Sequence, residues 1–277
     1  MSTRQLDRPG PAATRAVPPV PQSRRRFRPD RWHVAGVAVF AAIIAAWQLL
    51  FPLLGVNEAL VPLPFDVAEA LWTGLASGDY LPDIWETLKE VLLGFLLGGV
   101  VGIGLGAVVG EFRVVDRILS PYVVALQAVP KVAVAPLFAV VLGYGLTSKL
   151  VLVALITFFP VFVNTVSGLK GSPEDQLELM RVYGAGRWKT FRHVKARNAL
   201  VFVFAGLNIG VTLSVIGAVV AEFVGAQHGL GAAILRDGYR LDSARVFASI
   251  VLLSLLTGLL SSLVQFIGRK TVFWVSH

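Results

Sequence analysis

Lys131 follows Pro130 inside a run apolar enough to cross a bilayer. A lysine at that depth costs roughly 2.5–3.5 kcal/mol on insertion scales and usually faces a protein interior or a cavity. Its ammonium can attract an anion, pair with a backbone carbonyl freed by a helix break, or snorkel toward the interface. Gln127 and Asn164 are weaker polar candidates of the same kind. Asn208 and Thr212 are four residues apart and share a helix face, with Ser214 nearby. They can line a passage or hydrogen-bond neighbouring helices. Glu222 sits where the same apolar run ends, placed for a gate or for an ion pair with an arginine such as Arg236. None of these residues forms bond-making machinery. The chain has no cysteine, and its four histidines are scattered, so neither a thiolate site nor a histidine metal cluster is encoded. No Ser/His/Asp or His/Glu constellation sits at a plausible depth, which argues against an enzyme.

The elements that carry these residues are set by composition. Of 277 residues 55% are hydrophobic and 15% charged, against about 25% charged in soluble domains. Six apolar segments are long enough, at about 1.5 Å rise per residue, to cross a roughly 30 Å hydrocarbon layer. They cover Val34–Leu54, Val91–Val109, Ile118–Leu142, Leu150–Val166, Ala199–Ala221 and Val246–Ile267. The third reads as broken by Pro121, Pro130 and Pro136; the fourth is the shortest and carries Pro160. The runs lack the alternation of a barrel strand, so the fold class is an all-α membrane protein of about six transmembrane helices. Residues 1–33, rich in proline and arginine, read as a disordered basic tail. Residues 34–268 form the membrane domain and 269–277 a short C-terminus.

Lys and Arg are distributed unevenly. Nineteen fall in the tail, the 110–117 connection, the 169–198 loop and the C-terminus, all on one side if six helices alternate; four fall on the other. By the positive-inside rule both termini and the 169–198 loop are cytoplasmic. The net charge of +8 therefore reflects a membrane protein's cytoplasmic face and not nucleic-acid binding.

Gly94, Gly98, Gly102, Gly106 and Gly110 repeat every four residues, a stripe that lets another helix backbone approach closely. Asp66, with Glu69 three residues on, reads as the cap of an amphipathic interfacial helix carrying Trp72. In the 169–198 loop, Ser172, Pro173, Glu174 and Asp175 read as an N-cap, a first-turn proline and first-turn acids. That helix runs to about Tyr183, Gly184 and Gly186 break it, and a basic helix over 187–194 follows with Trp188 and Phe191 on one side. From these residues alone, the pair reads equally as a docking knob or as a basic piece lying on anionic lipid.

The stretch Glu178-Leu-Met, three residues, Gly184, nine residues, Val194 resembles the EAA loop of ABC importer permeases. Residues 60–268 resemble the nitrate/sulfonate/taurine group of that family through Val61-Pro-Leu-Pro64, Val129-Pro-Lys-Val-Ala-Val-Ala-Pro-Leu137, Phe159-Pro-Val-Phe-Val-Asn-Thr165, Val220-Ala-Glu-Phe-Val-Gly225 and Gly229-Leu-Gly231. The resemblance implies a type I ABC importer permease fold in a prokaryotic cytoplasmic (inner) membrane. The loop would dock on a separate ATPase dimer that holds ATP and Mg. Glu178 would orient the loop and Gly184 permit its bend, with Arg181, Ala185, Arg187, Trp188 and Phe191 as contacts. Lys131, Gln127, Asn208, Thr212 and Glu222 would line the pathway. An extracytoplasmic solute-binding protein and a second permease copy complete the expected assembly, which imports a small, anionic solute. That solute would be nitrate-, sulfonate- or taurine-like, an aromatic carboxylate or a pyrimidine precursor. No G-x-x-x-x-G-K-[ST] stretch occurs, so a phosphate cradle must come from another polypeptide. The family's closing Leu-Pro is Ala196-Arg197 here, and Val201 stands where a second proline is usual. The second coupling helix is therefore expected to run straight into the fifth span. An ion-coupled carrier is the competing class; it favours repeated halves and paired intramembrane acids, and neither is legible in this sequence.

Overall fold

The computed structural model describes residues 31–55, 57 and 60–274. The chain divides into two units, residues 1–46 and 47–277. The expected tail lies outside the described residues up to position 30, and from Arg31 onward the chain is already helical, in α1 (Arg31–Leu53). The rest of this account concerns the second unit.

Its elements are α2 (Pro64–Ser77), α3 (Leu81–Glu111), α4 (Arg113–Ala128), a 3₁₀ turn (Lys131–Val134), α5 (Ala135–Leu142), α6 (Leu146–Lys170), α7 (Glu174–Val182), α8 (Arg187–Thr190), a π-helical turn (Phe191–Lys195), α9 (Ala196–Phe223), α10 (Leu230–Tyr239) and α11 (Ser243–Thr271). Among the described residues of the whole chain five helices, α1 included, are long and apolar enough to cross a membrane, and α4 with the 3₁₀ turn and α5, bent by 80°, makes a sixth if the bent pair is one span. The bend falls at Val129–Pro130. Pro121 lies within unbroken α4 and Pro136 in the first turn of α5, where a missing N–H costs nothing.

One face of α3 organises this unit. Gly94, Gly98, Gly102, Gly106 and Gly110 lie against α6. A Cβ at Gly98 would stand 2.4 Å from the Ala154 carbonyl oxygen, and one at Gly94 2.4 Å from Val153 Cγ1. Small residues repeat the device between α6 and α9, where Gly168 meets Ala199 and Gly206 meets the Pro160 carbonyl. Within lipid, apolar side chains gain little by leaving one apolar surface for another, so close backbone packing and polar contacts must hold the helices together.

The polar contacts continue the glycine stripe along the same face. Asp83, Thr87 and Glu90 are all buried. Glu90 and Lys149 of α6 form an ion pair at 2.5 Å. The expected second span began at Val91 and the fourth at Leu150, one residue beyond each of these charges. The helices in fact start at Leu81 and Leu146. The pair neutralises both charges and lets the two helices extend beyond their apolar runs with Glu90 and Lys149 buried in the protein. An apolar cluster including Tyr80, Val91, Val153, Val215, Leu230 and Leu252 packs around these contacts.

Two caps differ from expectation. Helix α2 begins at Pro64, and Asp66, three residues after the cap residue Leu63, accepts the Leu63 N–H at 3.3 Å. Ser172 does not open α7; its hydroxyl donates to the Leu169 carbonyl at 3.0 Å and so closes α6, leaving Glu174 and Asp175 in the first turn of α7.

Gly98→Ala should destabilise the protein by about 1–3 kcal/mol through overpacking. Gly104, with nothing within 4 Å of its missing Cβ, should tolerate alanine without loss. Thermal unfolding of both variants in detergent checks this, and equal midpoints would remove the glycine contact from the account. Lys149→Ala strands a buried carboxylate and should cost about 3–5 kcal/mol, while Glu90→Leu with Lys149→Leu should recover most of that loss.

Candidate functional site

The 171–195 loop joins α6 to α9, so both of its ends are fixed to the glycine-packed core. Helix α7 closes at Tyr183, whose N–H bonds the Leu179 carbonyl at 3.0 Å. Gly184 follows at φ +66°, a left-handed conformation that glycine adopts without a Cβ clash, and the Ala185 N–H reaches back to the Met180 carbonyl at 2.9 Å. Helix α8, the π turn and α9 then run on as one 37-residue helix, Arg187–Phe223. The straight continuation expected from Ala196-Arg197 is present.

Trp188 and Phe191 stack at 5.9 Å with a 17° interplanar angle. Trp188 is 71% exposed, Val182 83% and Tyr183 78%, with Leu179 also exposed. Apolar side chains this exposed on a polar loop mark a contact surface. Sequence patterning missed Leu179, Val182 and Tyr183, because three apolar residues in a short amphipathic helix read as that helix's inward face. Of the residues chosen from sequence, Glu178 is exposed, and Arg181 pairs with Glu174 at 3.1 Å. Arg181, Ala185 and Arg187 line a cleft of about 1030 Å³ that faces back toward the ends of α3 and α4, away from the exposed aromatic patch.

Lys131 stands at the break between α4 and α5. Its ammonium donates to the Gln127 carbonyl at 3.0 Å and lies 4.3 Å from the centre of the Phe159 ring. Of the readings open in the sequence, the freed carbonyl is the contact this structure displays. Gln127 itself is exposed. Asn208 accepts from Gln265 of α11 at 3.3 Å, an interhelical bond, while Thr212 faces outward one turn further on. Asn164 donates to the Pro160 carbonyl at 2.8 Å within its own helix.

Glu222 is 1% exposed and does not pair with Arg236. Its carboxylate accepts from the Thr87 hydroxyl at 2.6 Å and from the Gly231 N–H at 2.5 Å. Thr87 in turn accepts the Leu230 N–H at 2.8 Å, and Asp83 accepts the Gly229 N–H at 2.9 Å. The first amides of α10, which have no partner within their own helix, are therefore satisfied by side chains of α3 and α9. Arg236 binds Asp83 instead, at 2.9 Å, and that bond raises the arginine's pKa. Asp237, buried beside Arg236 and Arg245, has its carboxyl pushed up by burial, which those arginines partly offset. Asp83 and Thr87 went unnoticed in the sequence because they precede the apolar run. Their spacing of 83, 87, 90 and 94 on one helix face is the signal that could have found them.

Among the described residues no group of three or more His, Asp or Glu could hold a metal. The arrangement offers a rigid contact surface joined directly to a membrane-crossing helix, with no constellation for breaking bonds.

Residues 98–272 match the family of the binding-protein-dependent transport system inner membrane component. The riboflavin transport system permease protein RibX of Chloroflexus aurantiacus is 36% identical over 94% of this chain and 96% of its own. The formylaminopyrimidine transport permease protein ThiX of Halalkalibacterium halodurans is 34% identical over 78% and 86%. The putative aliphatic sulfonates transport permease protein SsuC of Bacillus subtilis is 30% identical over 86% and 87%. Among solved structures, an inward-facing form of the MetNI methionine ABC transporter matches with a TM-score of 0.58 and 25% identity, covering 71% of this chain and 96% of that one. With apolar crossing helices, a glycine-packed core and an exposed loop continuous with a span, the chain belongs to the inner-membrane permease components of binding-protein-dependent ABC importers.

Proposed function

We propose that this permease imports a small solute by receiving force from a cytoplasmic ATPase pair through the 171–195 loop. The observation that carries this reading is the exposed patch of Leu179, Val182 and Tyr183 at the end of α7 together with Trp188, which sits on the helix that continues into α9. A push on Trp188 reaches α9 through unbroken helix, and α6 through the loop's other end. The lysine and arginine bias supports a cytoplasmic position for this loop and for both termini. A solute-binding protein delivers from the opposite side, where α2 and α10 lie. A second copy of the chain completes the pathway, as a two-fold pair.

The relatives' names cover riboflavin, a formylaminopyrimidine and aliphatic sulfonates. We assign this chain a small anionic solute of that range, sulfonate-like or a charged heterocycle or aromatic acid, passing Lys131 and the polar face of α9 at Asn208 and Thr212. Mass spectrometry of ligand retained by the partner binding protein tests the class. Stimulation of ATP hydrolysis in the reconstituted complex tests that the ligand is the transported one.

Trp188→Ala should weaken assembly with the ATPase about 30-fold, as expected for removing an interface anchor. Gly184→Pro forces φ near −65° where the chain needs +66°, and should abolish uptake while the protein still inserts in the membrane. Wild-type uptake by either variant in proteoliposomes would take the loop out of the mechanism. Lys131→Ala should lower uptake while leaving ATPase assembly intact; unchanged uptake would leave the lysine with only its carbonyl-pairing role.

A further inference from the structure

The cleft behind the loop has an unbalanced charge inventory. Its walls come from the last turns of α3 and α6, the first turn of α4, and the inner side of the loop. Three carboxylates line it, and each is already neutralised: Glu111 by Lys195 at 2.8 Å, Asp116 by Lys170 at 2.6 Å, and Glu174 by Arg181 at 3.1 Å. Arg187 adds a longer approach to Glu111, at 3.9 Å. Arg113 and Arg117 also line the cleft, and neither has a carboxylate within ion-pair distance among the described residues. One turn apart on α4, they share a face and can converge on a single anion.

The cleft's depth in the bilayer points to the source of that anion. The apolar run of α3, Val91–Val109, covers about 28 Å at 1.5 Å per residue, nearly the whole hydrocarbon layer. It stops two residues before Glu111, so the cleft opens at headgroup level. Beside the two arginines on α4, Val114, Ile118 and Tyr122 are exposed, and no residue of α4 is buried. A ligand with a phosphate for the arginines and an acyl chain for this apolar stripe satisfies both halves of the helix.

We propose that the cleft holds the headgroup of an anionic phospholipid, its phosphate on Arg113 and Arg117 and its chain along Val114 and Ile118. Basic recesses between membrane helices recognise anionic headgroups by this charge complementarity. The bound lipid would brace the loop against the ends of α3 and α4, beside the surface assigned above to the ATPase.

The test uses the full-length permease in nanodiscs of phosphatidylcholine containing a minor fraction of phosphatidylglycerol, followed by native mass spectrometry of the lipid retained. Wild type should retain phosphatidylglycerol selectively. Arg113→Gln with Arg117→Gln should lower that retention about 30-fold, at about fivefold per arginine. The charge-matched control is Lys189→Gln with Arg192→Gln, on exposed positions outside the cleft, and it should retain the lipid as wild type does. Equal loss in the control would overturn the proposal in favour of unspecific surface attraction. Unchanged retention in the arginine variant, with ATPase assembly lost instead, would overturn it in favour of a protein contact. Competition by inorganic phosphate as effective as by added phosphatidylglycerol would remove the acyl chain from recognition and with it the lipid. Because Trp188→Ala should leave lipid retention intact, failure of the docking surface and failure of this site are separately visible.

Discussion

The contact between α3 and α6 is the constraint on which the rest of the unit depends. Where Gly98 lies against the Ala154 carbonyl, the two backbones are closer than any side chain allows. That proximity fixes the depth of α6 relative to α3. It also brings Lys149 within 2.5 Å of Glu90, so the buried charge pair follows from the glycine register. Sliding α6 by one turn, about 5.4 Å, would meet glycines again at their four-residue repeat but would separate the charges. The glycines alone leave the register degenerate; the ion pair selects one position.

The same helix face then orders both ends of the molecule. At one end Asp83 and Thr87 hold the first amides of α10, with Glu222 bridging from α9. At the other, Glu111 holds Lys195 in the π turn that leads from the loop into α9. A π turn inserts an extra residue in the helical ladder and often marks a functional position. Here it lets Val194 be buried and Lys195 reach Glu111 while Trp188, less than two turns earlier, still projects outward. The loop is thus tied to the core through Lys195 and, at longer range, Arg187 on Glu111, and through buried Val194, while its outward face stays exposed.

Much of this was legible in the sequence because it rests on periodicity. Six apolar runs and glycines every four residues are patterns that helix geometry repeats without reference to distant residues, whereas the Glu178…Gly184 spacing was legible through resemblance to a family motif. What escaped depends on tertiary pairing. Glu90 and Lys149 read as span boundaries because each charge taken alone is too costly to bury, and only their meeting makes burial affordable. Glu222 was read as part of a gate or as the partner of an arginine such as Arg236, yet Asp83, 153 residues from that arginine, takes it. Leu179, Val182 and Tyr183 were assigned no role because amphipathicity gives the apolar face of a helix but not what lies opposite it. Pro121 was counted as a break, yet α4 runs through it and the bend falls at Val129–Pro130.

The contacts of Lys131 bear on how selectivity is divided across the importer. An ammonium that already donates to a carbonyl and lies over an aromatic ring is compensated before any solute arrives. On the proposed pathway an anion passing there would gain an attraction without having to rescue a stranded charge, so the site would favour negative solutes as a class without gripping one tightly. Weak, class-level attraction suits a step that must release what it admits. Tight discrimination then falls to the binding protein, where release can be driven by docking and not by the pathway itself. On this division, the glycine register, the buried pair and the loop geometry are fixed by helix–helix contacts within the chain, apart from the residues proposed to meet the solute.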